Sequence, residues 1–223
     1  MVVLRVIAAY KTVAQDAAAI ISRIPPYYLT AEARKRAYER IRDLKIAREW
    51  TKKEEKVIIR EEVGNSFNKW KEYLLTRSAA GVRTREAILP VWDEWMFRRH
   101  GNVGFHITQM FTGHGVFYSY LRRIGRVTTD RCPHCATGEV DTVDHTLIVC
   151  NAWMEEREDM LRRLCITADS LSLRSLVSAM VDSKEGWITA QTFIGKVMLA
   201  KEDKERQIEK ESHAVSTSGD DSD

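Results

Sequence analysis

Proline and glycine are scarce in this chain of 223 residues, four and eleven respectively, so long stretches contain nothing that would stop a helix. Sustained polar–apolar alternation of the strand kind is missing, and no segment repeats. No apolar run approaches the ~20 residues that span a bilayer, so no membrane partner is expected. The N-terminal residues lack the apolar core and cleavage site of a secretion signal. Cysteine is rare and unevenly placed: four in all, three of them within residues 131–150. That distribution argues against a disulfide framework and for a metal site in a reducing, intracellular compartment. Also absent are a phosphate-cradling glycine loop with its lysine and a Ser/His/Asp arrangement. The common nucleotide-hydrolysing and serine-hydrolase classes are thereby disfavoured.

Hydrophobic residues at 44% and charged residues at 30% describe a globular chain. The net charge of +3 conceals a segregation: the first 130 residues carry 24 Lys/Arg against 14 Asp/Glu, the remainder 11 against 18. A basic front half suits a polyanionic partner. Helical periodicity dominates, and the expected fold is all-α, an irregular helical array with an inserted zinc knuckle and a disordered acidic C-terminal tail.

The stripe Leu4, Ile7, Ala14, Ala17, Ile21 predicts one helix ending at Pro25-Pro26, and Thr30 is the expected N-cap of the next. That second helix carries Ala37, Ile41, Leu44 and Ala47 and reaches at least Trp50, with Gly64 a point of weakness further on. Val63, Phe67, Trp70 and Leu74 recur at amphipathic spacing. Gly81 marks a joint. Leu89-Pro90 opens a short helix holding Trp92, Trp95 and Met96, with Arg98, Arg99 and His100 in its last turn and Gly101 as its stop. Phe117, Tyr120, Leu121 and Ile124 are expected to share a face. Residues 152–164 and 171–181 read as helices. Trp187, Ala190, Ile194 and Val197 begin a last one, whose Lys201–Glu211 extension looks charged all round. From Ser212 there is nothing to bury, which predicts disorder.

The densest chemistry is RCPHCATGEVDTVDHTLIVC, residues 131–150. Cys132 and Cys135 form a C-x2-C loop, and His145 and Cys150 follow as H-x4-C. Three thiolates and an imidazole suit one tetrahedral Zn²⁺. A five-residue step turns about 500° on an α-helix, so His145 and Cys150 would not share a helical face: the chain must bend or tighten between them, or the helix must begin after His145. Asp141 and Asp144 are candidates to hold the second imidazole nitrogen. His134, inside the tight turn, is expected to point away from the ion, and Cys165, beside Leu161 and Leu164, to be a buried thiol. Four protein ligands leave no position for water, which points to a structural ion. A zinc deaminase would need H-x-E beside its P-C-x-x-C. Here His106, His114 and His145 are followed two residues on by Thr108, Val116 and Leu147.

Upstream, YLRRIGRVTTDR places Arg122, Arg123, Arg126 and Arg131 beside the knuckle. With Arg98 and Arg99 they form a candidate surface for RNA or DNA phosphates. Trp153 could stack on a base or close over the knuckle as an apolar lid. His114, between two glycines in TGHG, could contact a phosphate, although turn formation alone explains the glycines.

The run HITQMFTGHGVFYSYLRRIG, then CPHC, then DTVDHTLIVCNAW with Arg157, resembles the C-terminal region of pol-like polyproteins of non-LTR retrotransposons. The arthropod type-1 elements that insert in ribosomal RNA genes are the class it most resembles. LRVIAAYKTVAQDAA and IPPYYLTAEARKR resemble the segment that follows the reverse-transcriptase core there. The resemblance implies a fragment of an RNA-directed DNA polymerase and endonuclease, acting in the nucleus at the integration site. The fragment itself carries neither the polymerase's tyrosine-x-aspartate-aspartate motif nor an endonuclease carboxylate set. Residues 1–125 would then be a thumb- or linker-like helical region, 126–165 the knuckle with its basic flank, 166–211 the C-terminal helices and 212–223 the tail. The implied role is holding template RNA or target DNA; the alternative is a zinc-stapled region that docks on the upstream polymerase domain.

Overall fold

The computed structural model describes residues 2–76 and 80–217. Eleven α-helices and no named strand lie among them; the one β-type contact is an isolated bridge between Arg131 and Val140. None of the described helices is long and apolar enough to cross a membrane.

The expected first helix is two, α1 (Val2–Val6) and α2 (Gln15–Ser22). Ala8 takes a left-handed conformation (φ 49°) that ends α1 and turns Ile7 into the core. There the Ile7 carbonyl accepts the Thr108 hydroxyl at 2.7 Å. Five consecutive residues of α2, Ala17 to Ile21, are buried, so this helix is wrapped on all sides rather than along one stripe.

The helix α3 (Tyr27–Ile46) starts three residues before the expected Thr30 cap. Pro26 sets the extended geometry that leads in, and its carbonyl accepts from Leu29 at 3.1 Å. The helix also stops short of Trp50: Arg48 is left-handed (φ 60°) and reverses the chain. Thr51 then caps α4 (Lys52–Thr76), accepting from the Glu54 amide at 3.2 Å. α4 runs through Gly64 without a break. Glu62, buried between the two helices, accepts from Arg36 at 2.7 Å and Arg40 at 2.9 Å, and these guanidiniums hold its carboxyl below the usual range. The two helices therefore form an antiparallel hairpin.

Gly81 opens α5 (Val82–Ile88), and a 3-10 turn at Leu89–Val91 feeds α6 (Trp92–Phe97). Arg98, Arg99 and His100 follow α6 rather than forming its last turn, because Arg98 leaves helical geometry (ψ 144°). Its guanidinium folds back over the Trp95 ring at 3.8 Å and the Trp187 ring at 4.7 Å, and donates to the Trp95 carbonyl. Burial pushes Arg98 down to about 9, which leaves it charged at neutral pH.

Next come α7 (Phe105–Thr112), α8 (Tyr118–Arg123), α9 (Met154–Leu164), α10 (Leu173–Asp182) and α11 (Lys184–Thr217). On α8 and its flanks Phe117, Tyr120 and Leu121 are buried, whereas Ile124 is 42% exposed and does not share their face. One continuous core cluster runs from Ile7 to Met198 and takes residues from each of the segments 1–125, 126–165 and 166–211. The α11 helix crosses much of it and continues through Thr217, past the Ser212 at which disorder was expected. Residues 218–223 of that expected tail lie outside the described residues.

Two glycines should respond oppositely to an added methyl group. At Gly101 (φ 77°) a Cβ would fall 2.1 Å from the buried Trp187 ring. At Gly64 it would meet nothing within 4 Å. Gly101→Ala should cost about 2–4 kcal/mol. Gly64→Ala should gain about 0.5–1 kcal/mol from helix propensity. Urea unfolding curves with unchanged slopes would measure both.

Candidate metal centre

The centre is built on the carboxylate of Asp141. The N-terminus of α8 presents the Tyr118 amide to Asp141 Oδ2 at 2.9 Å, and the Ser119 hydroxyl donates to the Asp141 carbonyl at 2.8 Å. Lys201 of α11 reaches the same carboxylate at 2.6 and 2.8 Å, with both side chains fully buried, and the Thr146 hydroxyl adds a contact at 3.2 Å. Lysine at 201 extends the stripe Trp187, Ala190, Ile194, Val197 by one more helical step, so its burial was legible in the spacing. The charged appearance of its neighbours hid it.

From this anchor the chain loops through the ligands. The Asp141 amide donates to the Asp130 carbonyl at 2.8 Å and the Cys132 amide to the Glu139 carbonyl at 2.9 Å, which pins the C-x2-C turn between the Arg131–Val140 bridge partners. Residues His145–Val149 form a π-helical turn, closed by the Cys150 amide donating to the His145 carbonyl at 2.8 Å. The turn widens where tightening or bending was expected. An i→i+5 bond takes up the overshoot of a five-residue step and brings His145 and Cys150 to one side.

The four ligand atoms lie within 4.8 Å of one another. Cys132 Sγ and Cys150 Sγ are 3.9 Å apart, and Cys135 Sγ and His145 Nε2 are 3.4 Å apart. A tetrahedron with metal–sulfur bonds of about 2.3 Å and a metal–nitrogen bond of about 2.0 Å separates its corners by about 3.5–3.8 Å. These two separations are close to that spacing, and the four donors could hold one ion of that coordination. Burial raises the Cys132 thiol and pushes Cys150 up to about 12. Burial also acts to raise Cys135, but donors from Thr137 and the neighbouring thiols outweigh it and lower the group. Burial holds His145 below the ordinary imidazole range. A cation is the natural offset for thiolates so enclosed.

Neither aspartate supports the imidazole as expected. Asp141 belongs to Lys201, and Asp144 is taken by a two-pronged contact from Arg83 at 2.6 and 2.9 Å. His145 Nδ1 has no partner among the described residues. Arg157, on α9, was not assigned a role from its type or spacing. Its Nε donates to the Leu147 carbonyl at 2.9 Å and its terminal nitrogen to the Cys150 carbonyl, stitching the far side of the π turn.

His134 turns out of the ligand set and packs on Trp153 with ring centroids 4.9 Å apart. Trp153 is only 8% exposed, the geometry of a lid rather than of an open stacking platform. Cys165 is exposed, contrary to expectation, because it occupies the left-handed C-cap of α9 (φ 53°), beyond the face that carries Leu161.

The arginines diverge in their commitments. Arg122 pairs with Asp130 at 2.9 Å, and Arg126 with Glu205 at 3.3 Å and with Glu209. The Arg131 guanidinium donates to the Gly138 carbonyl. Arg99 is exposed, whereas Arg98 is committed to the tryptophan core and does not join a basic surface. Arg123 lies 3.2 Å from His114 Nε2 and over the Tyr120 ring at 5.1 Å. Of the glycines around His114, Gly113 is the left-handed C-cap of α7 (φ 69°), and at Gly115 the Gln109 side chain, which accepts from the Val116 amide at 3.1 Å, leaves no room for a Cβ.

Comparison of the chain with protein-family models, curated proteins and solved structures returns no match.

Breaking the ion pair from one side should be worse than removing both charges. Lys201→Met should cost about 3–5 kcal/mol by leaving Asp141 buried and unpaired. The double variant Asp141→Asn/Lys201→Met should cost less than the sum of the two single variants, as a urea double-mutant cycle on the metal-loaded protein would reveal.

Proposed function

We propose that Cys132, Cys135, His145 and Cys150 hold one structural Zn²⁺, and that the chain is a zinc-stabilised nucleic-acid-binding region of a retrotransposon reverse-transcriptase polyprotein. Three thiolates and one imidazole are a soft to borderline set, and with all four bound the ion has no open position for a reacting water. The observation that carries the binding reading is the exposed row Arg122, Arg123, Arg126 and Arg131. It lies on the segment that runs from α8 directly into the first ligand, Cys132. Arginine forks match phosphate oxygens, and a metal-fastened knuckle would fix where that row points. The polymerase and endonuclease activities, the nuclear site of integration and an upstream polymerase domain as partner are what the family resemblance implies. In this reading the fragment positions template RNA or target DNA and performs no chemistry of its own.

A second reading draws on the carboxylates that hold Arg122 and Arg126. With those charges satisfied internally, the centre acts as a staple between α8, α9 and α11, and its outer face docks on protein.

Metal analysis of the purified chain should find one zinc per molecule, and chelation should melt the region around residues 118–164 first. Replacing Arg122, Arg123 and Arg126 together with alanine should weaken RNA or DNA binding. Each lost phosphate contact should flatten the salt dependence by about 0.7–0.9 in slope. Unchanged affinity and slope in a folded triple variant would sink the basic-row reading, and a wild-type chain with no affinity for either polymer would favour the staple.

A further inference from the structure

A cavity of about 450 Å³ lies between the start of α2, the start of α5 and the Gly113–Gly115 turn. The reading above uses Arg123 as part of an exposed row but gives the cavity itself no role. Val13, Ala14 and Ile124 are among its apolar lining residues, while Arg83, His114 and Arg123 contribute side-chain nitrogen donors and acceptors. No carboxylate is among its described lining residues.

Its two cations differ. Arg83 is neutralised by the two-pronged contact with Asp144. Arg123 has no carboxylate partner among the described residues, unlike Arg122 and Arg126 on either side of it. What holds Arg123 is uncharged. His114 Nδ1 sits 3.0 Å from the Thr112 carbonyl, an acceptor, so that nitrogen carries the proton. Nε2 then offers its lone pair to Arg123 at 3.2 Å. The His114 ring packs on Tyr120 at 4.7 Å, and Arg123 lies over the same tyrosine. Burial, with Arg123 adding to it, holds His114 below the ordinary range, which keeps the ring neutral at pH 7. The guanidinium is thus positioned without its charge being cancelled.

A phosphate alone would leave most of this volume empty, and the size falls in the range of small-molecule sites, about 300–1,000 Å³. We propose that the cavity binds a single nucleotide unit, with its phosphate against Arg123 and its base in the apolar recess beside Val13, Ala14 and Ile124. The choice of a nucleotide over another aromatic phosphate rests on the nucleic-acid reading above. The same chemistry is presented by a free mononucleotide and by an unpaired nucleotide of a strand.

Calorimetry on the zinc-loaded full chain, with AMP, adenosine and inorganic phosphate as titrants, tests the site directly. Fluorescence anisotropy of a labelled single-stranded RNA 12-mer, with and without competing AMP, separates the two sources. AMP should bind more tightly than adenosine or phosphate. Arg123→Gln should weaken it by about tenfold or more, the loss expected for one charge-assisted contact. Ile124→Trp, which fills the recess, should also weaken it, and Lys69→Gln, at an exposed position of α4 outside the cavity lining, should not. Absence of AMP binding, AMP binding indifferent to Arg123→Gln, or phosphate binding as tightly as AMP would each overturn the proposal. RNA binding that survives Arg123→Gln and ignores AMP overturns the pocket while leaving the nucleic-acid reading intact. AMP binding that depends on Arg123 without any RNA binding supports the pocket as a free-nucleotide site and overturns that reading.

Discussion

The buried ion pair between Asp141 and Lys201 is the constraint on which the arrangement of the metal centre depends. Both side chains are fully buried, and the carboxylate also receives the Tyr118 amide and the Thr146 hydroxyl. Such a pair adds little net stability, because desolvating two charges consumes most of their attraction. Its value is positional. A carboxylate that would be costly to leave unpaired can be satisfied only when α8, the ligand loop and α11 meet in one register. The lysine also lies 5.2 Å from the centre of the Phe117 ring, so the charge is bounded by an aromatic wall.

A metal at the cluster and the ion pair would divide the task. The four ligands would close a loop of the chain on itself, while Asp141, inside that loop, ties it to a helix sixty residues away. Charge balance follows the same logic. A divalent ion held by three thiolates and a neutral imidazole would carry one net negative charge, and the buried Arg157 lies against the carbonyls of Leu147 and Cys150. With such an ion bound, Arg157 would offset the net negative centre as Lys201 offsets Asp141, the condition under which charge is tolerated in an interior.

The segregation of charge along the chain acquires a structural meaning. Basic residues of the first 130 positions meet acidic residues of the later ones: Arg83 with Asp144, and Arg126 with Glu205 and Glu209. His106 and Gln109 likewise converge on Glu202. Part of the basic excess is consumed within the molecule rather than displayed. That is why the choice of Arg123 over its neighbours, invisible in a run of arginines, matters for where a phosphate could be received.

Composition and spacing alone determined the helical class and which three cysteines and one histidine cluster as candidate ligands, because both are local properties. Helix formation follows the i to i+4 pattern, and two short ligand pairs in twenty residues are close by covalent connection. Helix ends were less legible: Ala8, Arg48 and Cys165 take left-handed turns that no glycine announced, and Arg98 leaves its helix to cover two tryptophans. Tertiary structure decided the rest. It buried Lys201, gave Asp141 to that lysine instead of to His145, widened the His145–Cys150 step into a π turn stitched by Arg157, and exposed Cys165. Each outcome depends on which distant side chain arrives to satisfy a buried polar group, and that information lies in the packing of elements far apart in the chain.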